Sequence, residues 1–106
     1  MEFSPEIINE LEKARTARAT GNEGKTRVCA RRAAGIAARD FLIRHGVRVV
    51  RSSAYVALQE LAAFPGLAPD LKQAATNLTL RVNVEFSLPD YIDLIAEARK
   101  LIGGLS

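Results

Sequence analysis

The sequence predicts an all-α protein, a bundle of about five helices arranged up-and-down in a single domain over residues 1–106. Five segments repeat apolar residues at intervals of three and four, as amphipathic helices do. Most of these segments are bounded by capping residues, prolines or glycines, which mark where helices begin and end. A chain of 106 residues also has the length of one small domain.

The predicted bundle is built on a long N-terminal helical hairpin. Ser4 can cap the first helix and Pro5 suits its first position, so we expect the helix to begin there. Glycine and asparagine over residues 21–24 end it in a short turn. A second helix covers roughly residues 25–44 and stops at Gly46. One of its faces carries small residues that let another helix approach closely: Ala30, Ala33, Ala34 and Ala37.

Three shorter helices complete the predicted bundle. The third runs from about residue 53 to residue 64, where Pro65 and Gly66 end it. The fourth begins near Pro69. The last begins at a capping box over residues 87–90 and ends at the glycine pair 103–104.

One segment favours an alternative fold class. Over residues 80–86, apolar and polar side chains alternate, which is the pattern of a strand. Valines in the segment 47–50 can supply a partner strand. An α+β protein with one small hairpin at 47–50/80–86 is therefore the alternative to the all-α bundle.

The charged residues are strongly separated along the chain. The 15 basic and 12 acidic residues give a net charge of only +3. Residues 13–51, however, contain 11 basic and two acidic residues, a net +9, which leaves −6 for the rest. Such a field attracts an anionic partner or the acidic part of a second copy of the chain.

Several classes of protein do not fit this sequence. The first residues lack the basic and apolar runs of a signal peptide, and no stretch approaches the ~20 apolar residues of a membrane span. One cysteine and one histidine are too few for a zinc site of about four ligands. We therefore expect a cytoplasmic protein with no membrane association, no metal and no cofactor. Cys29, on a predicted helix, is expected to be a buried small apolar residue.

The segment 19–26 nearly matches a phosphate-binding P-loop. It lacks the first glycine, and a charged helix precedes it where the motif requires a buried strand. The favoured interpretation is a turn between two helices. A weaker hypothesis keeps a phosphate site there, formed by the backbone amides of residues 24–26 and the ammonium group of Lys25.

Arg39 and His45 fit the loose pattern Arg-x5-His, which could serve RNA cleavage. Histidine can act as a general acid or base, and arginine can stabilise the charge of a phosphate transition state. His45 lies at the expected end of the second helix, however, where capping the helix is a sufficient role. A weak metal-independent ribonuclease therefore remains an alternative function.

A basic stripe on the second helix is the leading candidate for a binding surface. Lys25, Arg32 and Arg39 recur every seven residues, and Arg31 and Arg44 lie near them. Arginine suits phosphate because its guanidinium group can donate two parallel hydrogen bonds. The competing interpretation is a solvated face or a set of salt bridges between subunits.

The second helix also carries a family resemblance. It contains the run Ala30-Arg31-Arg32-Ala33-Ala34-Gly35-Ile36-Ala37-Ala38-Arg39-Asp40-Phe41-Leu42. A polar pair, two small residues and then spaced basic and apolar positions resemble the second helix of the HEPN superfamily of small helical bundles. The helix before it, the short turn and the capped last helix are similar too, so the resemblance covers most of the chain.

The resemblance implies a non-catalytic member of that superfamily. Its ribonucleases carry an Arg-x4–6-His motif on a late helix, and the nearest match here is the segment 80–86, where Arg81 corresponds to the arginine. No histidine follows Arg81, because His45 is the only histidine in the chain. The resemblance implies that the chain is, like other non-catalytic members, a dimerising helical module. Some of these members associate with nucleotides or with partner proteins.

Together these observations predict a non-enzymatic, HEPN-like helical module that forms a homodimer. We expect it to bind an anionic ligand, a nucleotide or RNA, and the candidate ligand-binding residues are Lys25, Arg32, Arg39 and Arg81. A purely structural role, or binding of an unidentified protein partner, is the further alternative.

Overall fold

The computed structural model describes residues 4–48, 53–80 and 93–105. Its helices are α1 (Pro5–Ala19), α2 (Glu23–Arg44), α3 (Ala54–Ala62), α4 (Pro69–Leu78) and α5 (Leu94–Leu105). No strand occurs within these three ranges, and the predicted all-α bundle on a long N-terminal hairpin is confirmed. Most of the alternative hairpin, residues 49–50 and 81–86, lies outside the described residues.

Side chains cap the beginnings of the first three helices, and of these caps Ser4 was predicted from the sequence. The side chain of Ser4 accepts a hydrogen bond from the amide of Ile7, and Ser53 does the same for Val56. Asn22 accepts from the amide of Lys25 and so begins α2. Each side chain satisfies an amide that has no partner within its own helix.

The last helix is capped by a residue that the sequence analysis missed. Asp93 accepts hydrogen bonds from the amides of Ile95 and Ala96, at 3.0 and 3.2 Å, and α5 follows it from Leu94 onward. The capping box predicted at residues 87–90 lies outside the described part of the chain. Asp93 is therefore the cap that the structure assigns to α5.

The hairpin of α1 and α2 packs through small side chains. Gly21 turns the chain with a φ of 80°, a backbone conformation that glycine adopts without strain. The predicted small face of α2 is confirmed, since its alanines are buried in the core: Ala30, Ala33, Ala34 and Ala37. Small side chains at these positions let neighbouring helices approach closely.

Two polar contacts show that α5 runs alongside α2 in the same direction. At one end, Arg18 at the close of α1 contacts the Asp93 carboxylate at 2.8 Å. At the other end, the guanidinium group of Arg44 donates to the Leu105 carbonyl at 3.2 Å. The core between the helices is filled mainly by buried leucines: Leu42, Leu58, Leu61, Leu78, Leu94 and Leu101.

Candidate anion-binding site

A small cavity lies between α2 and the beginning of α3. Its volume is about 150 Å³. The described residues that line it are Arg32, Gly35, Ile36, Arg39, Ser53, Ala54 and Ala57. The two helices thus bring together two of the predicted ligand-binding residues, Arg32 and Arg39, with the cap of α3.

Gly35 allows α3 to begin against the middle of α2. A Cβ atom added at Gly35 would lie 2.5 Å from the Cβ of Ala54 and 2.7 Å from its Cα. Such contacts are too close for carbon atoms, so any larger residue would push the helices apart. The site therefore depends on a glycine in a helix that is otherwise rich in alanine.

The side chains of Arg32 and Arg39 are exposed to solvent. Within the described ranges, neither guanidinium group makes an ion pair or a hydrogen bond. Seven residues separate them, which corresponds to a rise of about 10 Å along the helix axis and nearly the same side of α2. Two positive charges at the rim of one cavity attract an anion and repel a cation.

The cap of α3 adds a hydroxyl group to the site. The Ser53 Oγ accepts the amide hydrogen of Val56 at 3.2 Å, and its own proton can still be donated to a ligand. The positive end of the α3 dipole lies at the same position. Among the described lining residues there is no carboxylate, histidine or cysteine, so they supply hydrogen-bond donors and no general base.

Of the other two predicted ligand-binding residues, only Lys25 is described by the structure. Lys25 is exposed in the first turn of α2 and is not one of the lining residues. Arg81 lies outside the described residues. Of the three candidates that the structure describes, Arg32 and Arg39 therefore share the cavity and Lys25 does not.

The near-P-loop is a helix–helix turn, as expected, and its donors are already engaged. The amide of Lys25 donates to the Asn22 side chain at 3.1 Å. The amide and the buried hydroxyl of Thr26 both donate to the Asn22 carbonyl, at 3.0 and 2.9 Å. Two of the three amides in the hypothesis of a phosphate site at residues 24–26 therefore already have partners within the turn, which disfavours that hypothesis.

Two arginines near the basic stripe hold helix ends together. Arg31 is partly buried and donates to the carbonyls of Leu78 and Leu80 at the end of α4. Burial lowers the pKa of Arg31, yet arginine keeps its charge at neutral pH, and the negative end of a helix dipole favours that charge. Arg44 contacts the Leu105 carbonyl of α5 in the same way. Neither guanidinium group is free for a ligand.

His45 caps α2, as the sequence predicted, and belongs to an aromatic cluster. Its Nδ1 lies 2.8 Å from the Phe41 carbonyl oxygen. The imidazole stacks on the Phe41 ring at a centroid distance of 4.0 Å, and Phe64 meets both rings edge-on. His45 is not among the residues that line the cavity of Arg39, so the structure does not unite the proposed ribonuclease pair.

Cys29 is buried, which confirms the interpretation of it as a small core residue. Desolvation raises the pKa of its thiol, and the neighbouring carboxylate of Glu10 raises it further. The thiol is therefore protonated at neutral pH and is a poor nucleophile.

Sequence reasoning missed Gly35, Ile36 and Ser53 as parts of the site. The spacing of 32, 35, 36 and 39 places these positions on one side of a helix, and that signal was available. That Ser53 lines the cavity could not be predicted from the sequence, because it depends on where α3 packs.

Comparison with family models, curated proteins and solved structures finds no match to this chain. None of the helices in the described ranges combines the length and the apolar content needed to cross a membrane. The function must therefore be argued from the site itself.

Proposed function

We propose that the protein is a non-enzymatic helical module that binds the phosphate group of a nucleotide or RNA and forms a homodimer in the cytoplasm. The observation that carries the proposal is the pair Arg32 and Arg39 at the rim of one cavity, without an ion pair in the described ranges. The HEPN-like resemblance supports the same proposal independently of the cavity.

The size and chemistry of the cavity favour a phosphate group over a whole nucleotide. Sites that enclose drug-sized ligands have volumes of roughly 300–1,000 Å³, whereas this one has about 150 Å³. A phosphate fits, and the rest of the ligand stays on the surface. Two guanidinium groups and the Ser53 hydroxyl supply charge-assisted donors to its oxygens.

The other two candidate residues, Lys25 and Arg81, are proposed to bind further phosphate groups of a longer ligand. Lys25 lies on the same side of α2 as Arg32, one heptad earlier, where it can contact a second phosphate of a polynucleotide. Arg81 stays in the proposal on the strength of the family resemblance. A longer ligand then gains affinity from each added phosphate contact.

Titration calorimetry with ATP and with a single-stranded RNA oligonucleotide tests the proposal. Because charge-assisted hydrogen bonds contribute about 1.5–3 kcal/mol each, Arg39→Ala and Arg32→Ala should each weaken binding about tenfold or more. Arg15→Ala is the matched control, since Arg15 is an exposed arginine of α1 whose partner is Glu12. Its affinity should match the parent protein.

The two ligands distinguish the sources of the phosphate. For an RNA ligand, Lys25→Ala should also weaken binding, and the affinity should fall steeply with salt. For a free nucleotide, Lys25→Ala should have little effect. Absence of binding for both ligands at low salt, or equal losses for Arg15→Ala and Arg39→Ala, would contradict the proposal.

A further inference from the structure

The side of α2 that carries the two free arginines also exposes large apolar side chains. Val28 is 43% exposed and Ile43 is 51% exposed. Val28 lies four residues before Arg32 and Ile43 lies four residues after Arg39, so each apolar side chain neighbours an arginine on the helix surface. We name these four residues the α2 face. A phosphate ligand uses its arginines and leaves its apolar groups in water.

The third helix repeats this composition with the opposite charge. Val56 is 39% exposed, and Glu60 is exposed four residues later, on the neighbouring turn. No ion pair is formed by the Glu60 carboxylate within the ranges that the structure describes. We name Val56 and Glu60 the α3 edge.

We propose that the α2 face docks onto the α3 edge of a second copy of this chain. In a two-fold dimer each contact occurs twice, because the face of one copy meets the edge of the other and the reverse also holds. Valine and isoleucine side chains are removed from water, and the arginines meet Glu60 of the other chain. Pairing one α2 face with another would place arginine against arginine, which charge repulsion opposes.

The dimer and the ligand share the same arginines. A phosphate held by Arg32 and Arg39 removes the positive charge that Glu60 of the second copy would meet, so ligand binding favours the monomer. By thermodynamic linkage, dimerisation weakens ligand binding by the same factor. This part of the inference rests on the proposed phosphate binding, whereas the docking surface rests only on the proposed homodimer.

Sedimentation equilibrium of the full chain tests the docking surface. Ile43→Asp should weaken dimerisation at least tenfold, because it places a carboxylate in an apolar contact. Ile8→Asp is the matched control, since Ile8 is an isoleucine of similar exposure, 47%, on α1. Glu60→Arg should weaken the dimer as well. A parent protein that stays monomeric at millimolar concentration, or equal effects of Ile43→Asp and Ile8→Asp, would overturn the docking surface.

Adding ATP to the parent protein tests the competition. The dimer dissociation constant should rise with ATP concentration, and monomeric Glu60→Arg should bind ATP at least as tightly as the parent. If ATP binds the parent without changing its mass distribution, the competition is overturned. In a third outcome, neither the parent nor the monomeric variant binds ATP, while Ile43→Asp and Glu60→Arg disrupt the dimer and Ile8→Asp does not. The phosphate function then fails and the docking surface stands.

Discussion

At the scale of single residues, Gly35 sets the distance between α2 and α3. The absence of a side chain lets Ala54 approach the α2 backbone, and the cavity forms beside that contact. Gly21 plays a different part, because its positive φ turns the chain between α1 and α2. The sequence showed a glycine within a helix of alanines, but it did not show what would pack against it.

Replacing Gly35 by alanine should destabilise the protein by about 1–3 kcal/mol, because the new Cβ meets backbone that cannot move away without separating the helices. Gly24→Ala is the control in the same helix, since a Cβ there would contact only the Asn22 Oδ1, at 3.8 Å. Urea denaturation followed by circular dichroism measures both. Equal stability of the two variants would show that the contact at Gly35 is unimportant.

Asp93 should give the fold a dependence on acidic pH. Desolvation alone would raise the pKa of Asp93, but hydrogen bonds from Arg18 and from the amides of Ala96 and Ile95 outweigh it and hold that pKa below its ordinary value. A lowered folded-state pKa stabilises the protein above pH ~4, and this contribution is lost as the pH falls through the folded-state value.

The variant Asp93→Asn isolates that charge, since asparagine still caps a helix well. The loss at neutral pH should be small, at most about 1 kcal/mol, because the pair is partly exposed to solvent. Thermal melts between pH 2 and 7 should show a Tm difference from the parent that vanishes at the acidic end. A Tm difference that stays constant over this range would show that the charge of Asp93 does not cause the pH dependence.

At the scale of helices, the adjacent residues Arg31 and Arg32 of α2 make different contacts. Arg31 donates to carbonyl groups at the end of α4, whereas Arg32 faces the cavity and has no such partner in the described residues. A shift of one residue rotates a side chain by about 100° around a helix, which explains the difference. The sequence showed only a pair of basic residues.

Alanine substitutions at these two positions should therefore have opposite consequences. Arg31→Ala leaves two carbonyl groups of Leu78 and Leu80 without a donor and should cost about 1.5–3 kcal/mol of stability. Arg32→Ala should leave stability within about 0.5 kcal/mol and weaken ATP binding instead. Chemical denaturation measures the stability of both variants, and calorimetry measures their ATP binding. A loss of stability in Arg32→Ala but not in Arg31→Ala would contradict the different roles given to the two arginines.

Much of the helical architecture could be predicted from local sequence, because caps and breakers act within a few residues. Ser4 caps α1 as predicted, and α3 begins within one residue of the predicted position 53. The turn before α2 was also predicted, although Asn22 begins that helix two residues earlier than expected. Asp93 was missed as a cap because the last helix was predicted to begin at residues 87–90, although its capping bonds are local. Its contact with Arg18 could not be predicted, because 75 residues of sequence separate the two. The same limit applied to Arg31 and Arg44, whose carbonyl partners belong to distant helices.

At the scale of the whole molecule, the separation of charge is the feature that links fold and function. The basic segment forms most of the hairpin. It includes Arg31 and Arg44, which hold helix ends, and also Arg32 and Arg39, which line the cavity and have no partner in the described part of the chain. The sequence predicted an anion-binding surface on α2, and the structure brings two of its candidate residues, Arg32 and Arg39, to one cavity. The cavity itself could not be predicted, because it exists only where α3 packs against Gly35.

The most direct test of phosphate binding at this cavity is a titration of the ¹⁵N-labelled protein with ATP, followed through the backbone amide signals. Phosphate binding at this cavity should concentrate the shifts at the lining residues Gly35, Ile36, Ala54 and Ala57, and Arg39→Ala should need about tenfold more ATP to reach the same shifts. Shifts confined to residues 24–26, or a spectrum that ATP leaves unchanged, would contradict it.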